Sequence, residues 1–127
     1  MLKKITQQEL NNILKENHTI DLSYCDLAGL DLSWSRLCYV NLEGANLAGQ
    51  DLSWARLCYV NLKGANLKGA QLEGADLHRA NLKGANLELA NLEGADLSKA
   101  NLKDANFKNA ILTAADLSNT ELENLTV

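Results

Sequence analysis

Leucine returns at every fifth position from 22 to 127, interrupted only by Phe107 and Val127. Two residues before each of these sites lies a second regular position, which is alanine at every step from Ala65 to Ala115. Between the two sits mostly Asn or Asp, as at Asn81, Asn86 and Asp96. The two positions after the leucine are usually charged or small, with glycine often second, as in Lys63-Gly64 and Glu73-Gly74. On an α-helix, five residues advance a side chain by about 500°, so these leucines would wind over every face. On a strand, whose side-chain period is two, leucines five apart would alternate between faces. A backbone that bends by about a right angle every five residues points them all inward, and four such sides close one coil of twenty residues. Residues 31–50 and 51–70 support that count independently, because sixteen of their twenty positions match without a gap.

The minor positions agree. Alanine two residues before leucine shares the interior near a corner where a larger side chain would clash. Glycine two residues after leucine suits turns that need a positive φ. Proline is absent, as befits a backbone whose N–H groups bond to neighbouring coils. The unit Ala-Asn/Asp-Leu-x-x, present as Ala65-Asn66-Leu67-Lys68-Gly69, Ala75-Asp76-Leu77-His78-Arg79 and Ala95-Asp96-Leu97-Ser98-Lys99, resembles the pentapeptide-repeat family over residues 20–127. The resemblance implies an all-β solenoid, a right-handed quadrilateral parallel β-helix of about five coils. At ~4.8 Å per coil the rod would be on the order of 25 Å long.

Residues 1–17 lie outside the five-residue beat and are read as a separate capping unit ahead of the repeat domain, 18–127. Thr6 with Glu9 makes a capping box, and Ile5 with Leu10 a hydrophobic staple. Leu10, Ile13 and Leu14 then form one apolar face of a helix over about 6–16, with Asn17 as its stop. Such a helix closes the open end of the first coil, which would otherwise expose core leucine and strand edge. Its alternative use is docking to a membrane surface or a partner. Ile20, Cys25 and Leu30 put larger side chains at the alanine position, so the first coil is expected to be less regular, with Cys25 an inert buried thiol.

The duplicated twenties place Trp34 over Trp54, Arg36 over Arg56, Cys38 over Cys58 and Tyr39 over Tyr59, all outward. A duplicated coil produces such ladders by itself. Yet Trp, Tyr and Arg are also the residues enriched at interface hot spots, so Trp34, Arg36, Tyr39, Trp54, Arg56 and Tyr59 form the candidate partner-binding patch. Cys38 and Cys58 come within disulfide range on adjacent coils, but three cysteines without CxxC spacing suit a reducing cytoplasm, where they are expected as free thiols. Zinc is not expected, since His78 continues the same straight column. Further down, Asp76, Asp96 and Asp116 continue the column of Arg36 and Arg56, and stacked asparagines such as Asn61 and Asn81 can form an amide ladder.

Charge and motifs narrow the function. The net charge is −4, and residues 18–127 carry nine basic against fourteen acidic side chains, which argues against nucleic acid as a partner. No apolar run is long enough for a membrane span and no signal peptide is read. Two histidines, His18 and His78, stand far apart, and Walker, HExxH and GxGxxG motifs are missing, so neither enzymatic chemistry nor a cofactor is expected. The expectation is a cytoplasmic, non-enzymatic scaffold for a protein partner. Two alternatives stand beside it. One is a purely structural spacer. The other comes from the resemblance, since some members of the family inhibit DNA gyrase by mimicking B-form DNA; this chain departs from those in its interspersed lysines and mild acidity. Residues 112–127 loosen toward a bare edge, and Leu112, Leu117, Leu122, Leu125 and Val127 are the candidate contacts of an end-to-end homodimer.

Overall fold

Residues 1–16 and 19–127 are described by the computed structural model. The helix stop expected at Asn17 and the boundary between residues 17 and 18 lie outside them. From Asp21 to Asn106, the residue before each leucine-type position, Asp31 excepted, pairs in parallel with the residue twenty positions later: Asp21 with Asn41, Asn41 with Asn61, Asn61 with Asn81 and Asn81 with Asn101. Each twenty-residue layer therefore lies in register on the next.

One five-residue unit accounts for all its own N–H groups, as buried or edge-lying backbone must. The Asn61 N–H donates to the Val40 carbonyl in the layer before at 3.1 Å, and Leu62 donates to Asn81 in the layer after at 2.8 Å. Gly64 donates to Lys83 at 2.9 Å, and Ala65 donates to Leu62 at 3.0 Å, closing a four-residue turn. The remaining N–H, that of Lys63, donates to the Asn61 Oδ1 at 3.1 Å. This last bond is why Asn and Asp precede leucine: a short side chain with an oxygen two bonds from Cβ folds back onto the backbone two residues on. The same contact recurs at Asp21, Asn46, Asp76, Asn91 and Asp116, among others. The amide ladder expected from the sequence is secondary to it. Asn61 does donate to Asn41 at 3.0 Å, and Asn106 to Asn86 at 3.3 Å.

The third residue of each turn has positive φ, the type II pattern. All eight glycines of the chain stand there, together with thirteen other residues. Every leucine of the five-residue beat is buried from Leu22 to Leu102, and Phe107 is buried in the leucine place. Between them the space is filled by the second regular position, with Ala45 and Ala55 near the start and an unbroken alanine series from Ala65 to Ala105.

The first end is closed in two ways. A two-residue strand, β1 (Lys3–Lys4), pairs in parallel with β2 (Cys25–Asp26). The helix α1 (Gln7–Leu14) then lies over the end, with Leu10 fully buried in the common core. Its capping box is formed: Glu9 N–H donates to the Thr6 Oγ1 at 3.1 Å and Thr6 N–H to the Glu9 Oε2 at 2.7 Å. The helix is shorter than 6–16 because Thr6 is its cap and the Lys15 N–H already closes the last turn onto the Asn12 carbonyl.

The first layer is irregular, and for a further reason besides its larger side chains. Gln50 takes an alanine position and is buried, its amide donating to the Leu27 carbonyl. Among the described residues no bridge joins Asp31 to Asp51. Gln7 of α1 satisfies Asp31 instead, accepting from its N–H at 2.8 Å and donating to its carbonyl at 3.3 Å. At the far end, Leu112 and Leu117 are only half-buried and Leu122 is exposed.

Candidate functional site

Trp34, Tyr39, Trp54 and Tyr59 all occupy the positive-φ place of a turn, with φ between 58° and 68°. Bulky side chains rarely adopt this conformation, which glycine enters freely. Because the turn aims them outward, all four rings are exposed, Trp34 by 71%. The register of layers stacks them in pairs. Trp34 and Trp54 lie 6.2 Å apart at 13°, and Tyr39 and Tyr59 lie 4.8 Å apart at 11°. The wider tryptophan pair sits beside Asp31 and Asp51, where the bridge is missing. Below the stack, the Trp54 ring rests on Gly74: a Cβ there would meet the ring at 2.5 Å.

The patch read from the sequence is thus brought together on one side of the molecule, with Arg36 bridged to Arg56 between the two aromatic columns. The cation placed over a ring is a different one. Arg79 lies 5.7 Å from the Tyr59 ring centre, and His78 meets the same ring edge-on at 6.0 Å. Both follow from adding twenty to Cys58 and Tyr59. A further tyrosine outside the patch, Tyr24, lies over Gly44 and donates to Glu43 at 3.3 Å; the Glu43 carboxylate holds the phenol above its ordinary pKa. An open groove of about 480 Å³ borders the patch, between the end of α1 at Leu14 and the Arg36, Cys38 and Tyr39 side.

Cys38 and Cys58 are not free thiols. They form a disulfide with Cα atoms 4.7 Å apart. The layer spacing itself supplies that distance, which falls inside the usual disulfide range. The bond also lies where the regular turn contact cannot form, since Arg36 and Arg56 carry no oxygen to accept the Cys38 and Cys58 N–H groups. Cys25 is the free cysteine, and burial pushes its thiol pKa up.

Asp96, Ser98 and His78 come together below the patch, but in an order that activates nothing. Ser98 donates its hydroxyl proton to the Asp96 Oδ1 at 2.6 Å, and His78 Nδ1 lies 2.8 Å from the same Ser98 oxygen. A nucleophilic serine needs its proton taken by the histidine, with the carboxylate behind the ring. Among the described residues no group of three ligating side chains could hold a metal ion, and no helix is long and apolar enough to cross a membrane. The expected edge residues Leu112, Leu117, Leu122 and Leu125 do meet, lining a small apolar hollow with Phe107, while Val127 lies exposed beyond them.

The family profile described as "Pentapeptide repeats" matches residues 20–49, 51–88 and 90–124, in eight copies. Among solved structures, the chain is similar to the pentapeptide repeat protein Rfr23 from the cyanobacterium Cyanothece 51142, at 38% identity and a TM-score of 0.71. That match covers 72% of this chain and 63% of Rfr23. A pentapeptide repeat protein from the Arabidopsis thaliana thylakoid lumen is 40% identical with a TM-score of 0.65, over 67% of this chain and 59% of its own. The chain thus spans less than two thirds of the length of either relative. No curated protein matches it in sequence. With the five-residue turns, the inward leucines and the twenty-residue register in place, the chain belongs to the pentapeptide-repeat family.

Proposed function

We propose that this chain is a non-enzymatic scaffold that binds a protein partner through the side bearing Trp34, Arg36, Tyr39, Trp54, Arg56 and Tyr59. In this reading the layers wind as a right-handed quadrilateral β-helix of about five coils, residues 18–127, capped by residues 1–17. The observation that carries it is the occupancy of the turn position. In the same column where Gly74 and Gly94 satisfy the positive φ without strain, Trp34 and Trp54 place large exposed rings. A left-handed conformation costs a non-glycine residue roughly 1–2 kcal/mol, so about 2–4 kcal/mol for the two tryptophans together, which their stacking offsets only in part. Rigid aromatics beside arginine are what protein interfaces use as anchors. The open rim at residues 112–127 is the alternative place for contact with another copy, end to end.

The Cys38–Cys58 disulfide weighs against the cytoplasmic site expected from the cysteine spacing, because a structural disulfide persists best where conditions are oxidising. Affinity capture followed by mass spectrometry tests the binding reading. The double variant Trp34→Ala, Trp54→Ala should keep a folded far-UV circular dichroism spectrum and lose the partner that wild type retains. Equal recovery of the same proteins by both would defeat the proposal.

A further inference from the structure

We infer that the side between the Trp34/Trp54 corner and the Tyr39/Tyr59 corner is self-complementary, and that its occupant is a second copy of this chain, lying alongside and antiparallel. The inference rests on the proposed reading of this side as an interaction surface and names what fits it.

Steps of twenty residues divide the side into an upper half and a lower half of opposite character. In the central column Arg36 and Arg56 continue into Asp76 and Asp96, each bridged to the next. Both arginines are exposed, and among the described residues neither is in an ion pair. In the column at one corner Trp34 and Trp54 continue into Gly74 and the open Gly94. At the other corner Tyr39 and Tyr59 continue into Arg79 and Lys99, all on the surface.

A twofold axis lying in the interface, perpendicular to the columns and midway between the Arg56 and Asp76 levels, maps every column onto itself reversed. Arg56 then faces Asp76 of the second copy, and Arg36 faces its Asp96. Tyr59 faces the cation of Arg79, and Tyr39 that of Lys99. Trp34 faces the open Gly94, and Trp54, whose ring covers the Gly74 of its own chain, meets the Trp54 of the second copy. Because a twofold contact is made twice, every pairing occurs in both directions. The competing arrangements fail on charge. Parallel chains would set Arg36 against Arg36. The column runs on from Asp96 to Asp116, so a shift by one level toward that end keeps Arg56 on Asp96 and Arg36 on Asp116 but sets Asp76 against Asp76, and the opposite shift sets Arg56 against Arg56. The charges therefore select the antiparallel direction, and each neighbouring register creates a like pair that this one lacks. The side is only a few layers long, so the contact lies at the small end of specific interfaces and depends on electrostatics that salt screens.

Sedimentation velocity on the full chain tests this. Wild type should dimerise at about 20 mM NaCl, with the association constant falling about tenfold or more by about 300 mM. Arg36→Asp with Arg56→Asp should be monomeric alone, as should Asp76→Arg with Asp96→Arg. An equimolar mixture of the two should dimerise again, because their columns become complementary to each other. Arginine already occupies the position before leucine at 36 and 56, so the fold should accept it. If the arginine variant does not fold by circular dichroism, Asp76→Asn with Asp96→Asn keeps the turn contact, and should abolish the dimer and its salt dependence.

A wild type that stays monomeric at low salt overturns the inference. So does a dimer that survives Arg36→Asp with Arg56→Asp, which would place the contact elsewhere, such as residues 112–127. So does a mixture that fails to reassociate. The Trp34/Trp54 capture experiment separates the two readings: a monomeric wild type that still loses a captured partner on removal of both tryptophans leaves the scaffold reading standing and removes only self-pairing.

Discussion

Gly74 and Gly94 make a controlled comparison. Both have positive φ, +64° and +66°, and both lie in the column that begins with Trp34 and Trp54. A Cβ at Gly94 would meet nothing within 4 Å, whereas at Gly74 it would lie 2.5 Å from Cε3 and Cζ3 of Trp54. The column even ends on an alanine in the same conformation, Ala114 at φ 59°. Gly94→Ala therefore measures the backbone alone. The left-handed penalty of roughly 1–2 kcal/mol is offset in part by about 0.4–1 kcal/mol from the stiffer unfolded chain, leaving about 1 kcal/mol of destabilisation. Gly74→Ala carries the same cost and must also move a ring. Normal carbon contacts fall at about 3.5–4.0 Å, so the ring has to shift by about 1 Å or swing off.

Trp54 is 53% exposed and can swing. It then forfeits its stack on Trp34, about 0.5–1.5 kcal/mol, and part of its buried area, so the extra loss should be about 1.5–3 kcal/mol. At about 3–4 °C per kcal/mol for a chain this size, Gly94→Ala should lower Tm by a few degrees and Gly74→Ala by roughly 8–15 °C. Thermal melts followed by far-UV circular dichroism read the difference, and near-UV circular dichroism reads the tryptophan pair directly. In a Trp54→Ala background the two glycine substitutions should cost the same, because the interaction has been removed from the cycle. Equal Tm values for Gly74→Ala and Gly94→Ala in the wild-type background, or an undiminished gap in the Trp54→Ala background, would refute the account.

Three further outcomes are expected. Reducing the Cys38–Cys58 disulfide, whose cysteines are 20 residues apart, should cost about 3 kcal/mol by loop closure, and Cys38→Ser with Cys58→Ser should lose the sensitivity of Tm to reductant. Leu10→Ala should cost about 2–5 kcal/mol in denaturant unfolding, since Leu10 is completely buried in the core. Serine hydrogen bonds hold the carboxyls of Asp21, Asp31 and Asp116 below the ordinary value of 3.8. Their contribution to stability is then complete above 3.8 and lost as pH falls through the lower folded values; urea midpoints at stepped acid pH should decline there, and less so after Asp116→Asn.

What the sequence discloses is what one column repeats. The leucine beat, the alanine filling and the stacking of Trp34 on Trp54 need only arithmetic in fives and twenties. The helix start is legible because Thr6 and Glu9 form a local code. The pairing of Lys3–Lys4 is not, because two lysines carry no pattern and pair only once Cys25–Asp26 offers an edge. Gln50 is a misfit in the alanine column, yet only the structure shows that its amide reaches Leu27 in the layer where the bridge between Asp31 and Asp51 is missing. The disulfide lies within geometric reach of the sequence. The expectation of free thiols rests on an assumed compartment rather than on any residue.

The turn position clarifies where functional information is written in such a chain. The fold asks one thing of it, a positive φ, and leaves the side chain outside the core. Glycine meets that demand without strain. Leu89, Lys99 and Asp104 stand there too, each tolerating the turn at some cost. Regularity inward is then the trace of folding, because every leucine of the beat answers to the same neighbours. Departure outward is the trace of use, because the core gains nothing from it. The run Lys99, Asp104, Asn109, Ala114, Asn119 and Asn124 departs from glycine as well, but with small or polar side chains, whereas Trp34, Tyr39, Trp54 and Tyr59 put large rings on two adjacent layers and flank Arg36 and Arg56. That clustering of exposed rings around arginine, rather than departure from glycine alone, is what makes one side of the molecule chemically distinct from the rest.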